Sequence, residues 1–175
     1  MEGAKVEVQR SLKTNGDATF VTWLAALNAW VVTTQNVSLI ARNEKDVRAH
    51  YPEQSRHYLS RKIALCWLRK VKQIEKLGLG KLEALKEELT DKVFLGDFIG
   101  NADLINLIKY PRETIVFHNV VEKHRTSATA KDSAYCLANG KSILKRHLLE
   151  VAPNRVCGVF ETYDALCDSL AEVYS

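Results

Sequence analysis

No stretch of this chain approaches the roughly 18 uninterrupted apolar residues that a membrane-spanning helix requires. Its best apolar segment, Phe20 to Val32, is cut by Thr22, Asn28 and several small residues. The N-terminus lacks the basic-then-apolar layout of a secretory signal. Cysteine is scarce: Cys66, Cys136, Cys157 and Cys167 show neither CxxC spacing nor the density of a secreted disulfide scaffold. Reduced, mostly buried thiols follow, and with them a cytoplasmic setting, the nucleus being left open. A zinc site from Cys136, His118 and His124 can be drawn, but those spacings match no metal template. Repeats, low-complexity tracts and interdomain linkers are absent too. Neither charge sign dominates: 25 Lys and Arg against 21 Asp and Glu leave a net charge of +4. Such a balance leaves room for a polyanionic partner without demanding one.

What is present describes a soluble globular chain. Apolar residues make up 46% and charged residues 26% of 175 positions, a length that suits one domain or a piece of one. A chain this long buries enough surface to need no covalent staple.

The first half reads as strands. Val6 and Val8 alternate with charged neighbours up to Arg10, then Lys13-Thr14-Asn15-Gly16-Asp17 supplies turn chemistry. Ala18 to Ala26 and Trp30 to Thr34 are rich in β-branched and aromatic residues, with Leu27-Asn28-Ala29 as their hairpin loop. Val37 to Ala41 follows. From Gln54 to Leu77 the period changes: Leu59, Ile63, Trp67, Val71 and Ile74 recur at spacings of three and four, predicting an amphipathic helix with a strongly basic side. Gly78 and Gly80 end it. A shorter helix carries Leu82, Leu85 and Leu89. Val93 to Gly100 and Thr114 to Val121 read as strands. Helices over Ser142 to Val151 and Tyr163 to Tyr174, the second capped by Thr162, flank a short strand near Val156 to Phe160. The pattern predicts an α+β fold.

Three places could carry chemistry. Lys13 sits beside a tight Asn-Gly turn, where desolvation or cationic neighbours would free its amine as a nucleophile; the same tetrapeptide also suits a plain hairpin turn with a lysine in water. Asp97 is an acid inside an apolar strand, costly unless paired or ligand-bound, and Gly96 and Gly100 would let a ligand approach the backbone; a strand-end acid facing solvent is the alternative. In Ile115 to Val121, alternation puts Phe117 and His118 on opposite faces, so one could stack on a base while the other packs in the core.

In order, these segments are Lys13-Thr14-Asn15-Gly16, the strand ending at Gln35-Asn36-Val37-Ser38, the basic helix, Leu95-Gly96-Asp97-Phe98-Ile99-Gly100-Asn101, Leu107-Ile108-Lys109-Tyr110 and Thr114 to Val121. This arrangement resembles the adenylyltransferase domain of ATP-dependent RNA ligases of the bacteriophage and fungal tRNA-ligase type. The resemblance covers most of the chain and implies an antiparallel-sheet, ATP-grasp-like nucleotidyltransferase domain with inserted helices, partial over residues 1–175. By it, Lys13 of Lys-x-Asn-Gly becomes covalently attached to AMP, with Asn15 and Gly16 completing the motif. Asp97, at the place of a Gly-Glu-like motif, binds the ribose. Phe117, or His118 in a shifted register, forms an aromatic wall for adenine. Related ligases carry a basic residue about where Gln35 stands, a role Arg42 would have to take over.

The resemblance further implies ATP and Mg²⁺ as cofactors and RNA ends as substrate, as in RNA repair and tRNA splicing. A basic path over Arg61, Lys62, Arg69 and Lys70, with Arg56 and Lys72, would track the RNA backbone; a solvated outer helix face is the other reading of the same residues. Asp97 is one methylene shorter than the family's glutamate. The family's metal-binding Glu-Gly-x-Val strand and later catalytic lysines are not found, since in Cys157-Gly158-Val159 the acid, Glu161, follows the glycine. A partner chain is one source for those motifs. The competing expectation is a non-catalytic remnant, an RNA- or nucleotide-binding module that keeps the fold core. An unrelated α+β interaction domain is the third.

Overall fold

A computed structural model describes residues 14–100, 110–123 and 140–153, the backbone of 6–11 and 154–160, and residues 162, 164, 165, 167 and 168. The chain divides into two compact units, Thr14–Val151 and the two ends, Met1–Lys13 with Ala152–Ser175.

The larger unit is built on a five-stranded antiparallel sheet. Its strands are β2 (Asp17–Leu24), β3 (Ala29–Thr33), β4 (Ser38–Ala41), β5 (Lys92–Ile99) and β6 (Thr114–Glu122), in the spatial order β4-β3-β2-β5-β6. β2 shows why these residues form strands: Thr19, Val21 and Trp23 are buried while their neighbours are not, the period-two pattern of a sheet with one face on the core. The β2–β3 connection is a single 3₁₀ turn, Ala25–Leu27, closed by Asn28 at φ 48° and ψ 50°. Asparagine tolerates that left-handed conformation better than most residues. The strand therefore ends at Leu24, two residues short of the expected Ala26.

Three helices lie between β4 and β5: α1 (Glu44–His50), α2 (Tyr58–Lys76) and α3 (Leu79–Asp91). The period read in α2 is its burial pattern, with Ile63, Trp67, Val71 and Ile74 all inside. Gly78 separates α2 from α3 at φ 131°, a conformation that favours glycine. Gly80 does not stop a helix; it lies in the first turn of α3. The core sits between the helices and the inner sheet face, strung on edge-to-face aromatic pairs. Trp23 meets Trp30 at 4.6 Å, Trp30 meets Trp67 at 5.3 Å, Trp67 meets Phe117 at 5.9 Å, and Phe117 meets Phe94 at 6.0 Å.

After β6, residues 140–146 are helical. The helix expected to run on to Val151 stops there: Leu148 takes φ 56°, and the released chain lies beside β6, with Phe117 N–H donating to Glu150 O at 2.8 Å and Val151 bridging Phe117. Among the described residues no helix is long and apolar enough to cross a membrane.

The smaller unit holds the antiparallel pair β1 (Val6–Ser11) and β7 (Asn154–Phe160), with a register shift between Val8 and Gln9. Thr162 Oγ1 accepts from Ala165 N–H at 3.2 Å, the expected cap. Most of the helix expected over Tyr163 to Tyr174 lies outside the described residues.

Candidate functional site

The turn that opens β2 is locked to β5. Gly16 N–H donates to Thr14 O at 3.0 Å, tightening the turn. A β-carbon on Gly16 would stand 2.5 Å from Phe98 O, 2.9 Å from Ile99 Cγ2 and 3.0 Å from Asp97 Cβ, so only glycine fits against that strand. Thr14 Oγ1 donates a short hydrogen bond to Asp97 Oδ2, across 83 residues of sequence. The Asn-Gly turn and the strand acid, separate signals in the sequence, thus form one constellation of Thr14, Asn15, Gly16 and Asp97. Lys13 itself lies outside the described residues.

Register decides what accompanies Asp97. On β5 it stands opposite Ala18 of β2 and Val116 of β6, on the face away from the aromatic core, half-buried. Gly96 beside it is required by close packing, since a β-carbon there would stand 2.6 Å from Val116 O. The pairing skips a residue at this point, Leu95 facing Asn119 and Gly96 facing Phe117, which leaves His118 in a bulge. Phe117 is 1% exposed and packs on Trp67 and Phe94. The aromatic-wall expectation is corrected for Phe117, which is packed into the core against Trp67 and Phe94; His118, the alternative, is half-buried.

Arg42 does not join this group. It follows β4, three strand spacings from β5 and beyond Ala41, which is aligned with Trp30 and hence Trp23, whereas Asp97 is aligned with Ala18. That is about 14 Å across the sheet and about 20 Å along it. Its guanidinium pairs with Asp46 at 3.5 Å instead. The turn holding Gln35 lies at the Asp97 end, but Gln35 carries no charge.

The expected RNA path is not an open row of cations. Arg61 is 8% exposed and pairs with Glu53 at 3.2 Å. Lys62 pairs with Glu113 at 3.2 Å and lies over the Tyr58 ring. Burial works against the Lys62 ammonium, but the Glu113 carboxylate outweighs it and holds its pKa above the ordinary lysine value. Arg69 reaches the same carboxylate at 3.7 Å, and Lys72 is held by Glu44 at 2.8 Å. Glu113, unremarked in the sequence, is thus a hub for two of the four residues. Arg69 and Lys70 line a cleft of about 190 Å³ with Cys66, Trp67, Arg112 and Glu150. Burial pushes the Cys66 thiol up to about 11, which leaves it protonated and unreactive at neutral pH. Of the zinc residues considered above, Cys136 and His124 lie outside the described residues.

These residues fit part of a nucleotide. The Asp97 carboxylate can accept from a ribose hydroxyl in addition to Thr14, and the half-buried Phe20, aligned with Leu95, offers ring surface on the same sheet face. The triphosphate is another matter. Strands β2–β6 contain a single Lys or Arg, Lys92, and Glu88 holds it at 2.8 Å.

No protein-family model and no curated protein matches the chain. Solved structures do. An RNA ligase of Naegleria gruberi superposes with TM-score 0.51 and 12% identity, over 98% of this chain and 41% of its own. A mutant Naegleria gruberi RNA ligase solved with ATP and manganese gives 0.50, 13% and the shares 97% and 41%. An archaeal ATP-dependent RNA ligase gives 0.50 and 16%, with 97% of this chain and 36% of its own. The chain spans less than half the length of these neighbours, and at such identities the likeness speaks for architecture alone: over that part, its fold is the one found in ATP-dependent RNA ligases.

Proposed function

We propose that this chain is an ATP-dependent RNA ligase-like adenylyltransferase, with Lys13 as the nucleophile and RNA ends as the acceptors. The observation that carries the reading is the hydrogen bond from Thr14 to Asp97, because Thr14 is the residue next to Lys13 and Asp97 is the proposed ribose anchor. Gly16, packed against Phe98 O, holds the turn to the same strand. In the proposed step the unprotonated Lys13 amine attacks the α-phosphorus of ATP. A nitrogen–phosphorus bond forms, the bond to the β-phosphate oxygen breaks, pyrophosphate leaves with the electron pair, and the amine proton passes to solvent. The AMP then passes to an RNA 5′-phosphate, from which a 3′-hydroxyl displaces it. A divalent cation, Mg²⁺ in this reading, supplies charge neutralisation at the phosphates. Asp97 and Thr14 orient the sugar, and His118 flanks the base.

A second reading, a nucleotide- or RNA-binding module without transfer, is favoured by the scarcity of cations on the strands around Asp97, since losing electrostatic partners to a phosphoryl group costs orders of magnitude in rate. Intact mass after incubation with ATP and Mg²⁺ separates the two. The expected result is a gain of one AMP on the parent and none on Lys13→Ala. A folded parent that binds ATP without gaining mass would overturn the transferase and leave the module.

A further inference from the structure

The start of α2 gathers hydrogen-bond donors that have no acceptor among the described residues. Arg61 is buried, and its side chain runs back towards the helix N-terminus, as helical side chains do, where Nη1 meets Glu53 in the preceding loop at 3.2 Å. Its Nε–H is buried and has no hydrogen-bond partner among the described residues. One turn earlier, His57 Nε2 accepts from Arg56 Nε–H at 3.4 Å. A neutral imidazole that accepts at Nε2 carries its proton at Nδ1. That Nδ1 is also buried, with no partner among the described residues. His57 and Arg61 are four residues apart and joined by the hydrogen bond from Arg61 N–H to His57 O at 2.7 Å, so they share one helix face. Beside them the Ser60 and Thr34 hydroxyls lie 3.3 Å apart in the interior.

The unmatched groups are of one kind. Both are N–H donors, one of them on a cation, and they stand at the end of a 19-residue helix where the backbone dipole is positive. Donors, positive charge and dipole together select an oxyanion. A guanidinium this deeply buried is costly while one of its N–H groups goes unmet. Glu53, whose side chain is 70% exposed, gives it a loosely held carboxylate in the meantime.

We propose that the N-terminal end of α2 is a phosphate-binding site, in which Arg61 Nε–H and His57 Nδ1–H take the phosphate oxygens and the Glu53 carboxylate is the placeholder that phosphate displaces. The site is separate from Asp97 and works without adenylation, so it stands or falls on binding measured with no ATP or metal present.

The test is calorimetric titration at one fixed low salt concentration, with three probes: inorganic phosphate, a uridine hexanucleotide bearing a 5′-phosphate, and the same RNA with a 5′-hydroxyl. Glu53→Gln removes the competing charge and is expected to bind the phosphate-bearing probe several-fold more tightly than the parent. Arg61→Gln is expected to bind it about tenfold more weakly. Preference for the 5′-phosphorylated RNA supports the site with an RNA end as its ligand. Equal binding of both RNAs supports it with backbone phosphodiesters, and binding of inorganic phosphate alone supports it with a small phosphate ligand. Arg61 is buried and its variant could misfold; Glu53 is exposed and decides the matter alone. No binding of any probe, or equal affinities in the parent and Glu53→Gln, overturns the proposal.

Discussion

At the scale of single residues, the site depends on two short contacts that only small or hydroxylated side chains permit. Gly16 faces a carbonyl oxygen, Phe98 O, which belongs to a paired strand and cannot rotate away as a side chain could. Gly16→Ala is therefore expected to cost about 2 kcal/mol through overpacking, lowering Tm by about 4–8 °C, and to loosen the Thr14–Asp97 bond. Differential scanning calorimetry checks the first; an unchanged Tm would mean that the turn has more room than its geometry indicates. Lys-x-Asn-Gly and the acid at Asp97 were both legible in the sequence as separate signals. Their union through Thr14 was not, because the variable position of a motif says nothing about which distant residue its hydroxyl will meet. Nor could alternation alone choose between Phe117 and His118: it put them on opposite faces, and the core, through Trp67 and Phe94, took the phenylalanine.

At the scale of elements, legibility followed period. α2 shows repeated apolar spacing over five turns and was readable; α1 has one buried residue, Val47, in seven, and no period exists to read. Its signal is the cap. Asn43 Oδ1 accepts from Asp46 N–H at 2.9 Å, while Asp46 in turn accepts the Arg42 N–H at 3.1 Å. Asn43→Ala is expected to cost about 1 kcal/mol and Asn43→Gly only a few tenths, measured as a shift of the urea midpoint at constant slope. Equal losses in the two would show that the side chain is not acting as a cap. The basic side of α2 was legible too, but its consequence was not. Glu44, Glu53 and Glu113 come from α1 and two loops, so only the folded chain shows that Lys72, Arg61 and Lys62 are already paired.

At the scale of the whole molecule, the order of motifs carried the architecture, while the distribution of charge over it could only emerge from packing. Long-range packing also brings a titratable group into the core. His147 is 6% exposed, its ring lies 6.3 Å from that of Phe94, and among the described residues its Nε2 has no hydrogen-bond partner. Burial lowers its pKa below the ordinary histidine value, and Glu88, 3.8 Å away, opposes this without prevailing. That carboxylate is already shared with Lys92 at 2.8 Å and Arg146 at 3.5 Å. The consequence has a definite sign. Above the unfolded histidine pKa of about 6.5 both states carry a neutral ring, and the stability is complete. As pH falls below it, the unfolded chain takes up the proton first, so stability declines until the lower, folded pKa is reached. Between pH 7 and pH 5, where carboxylates stay mostly ionised, the parent is expected to lose Tm steadily, and His147→Leu, which has nothing to titrate there, to lose distinctly less. Parallel pH profiles for the two proteins would show that the acid sensitivity of this fold comes from elsewhere.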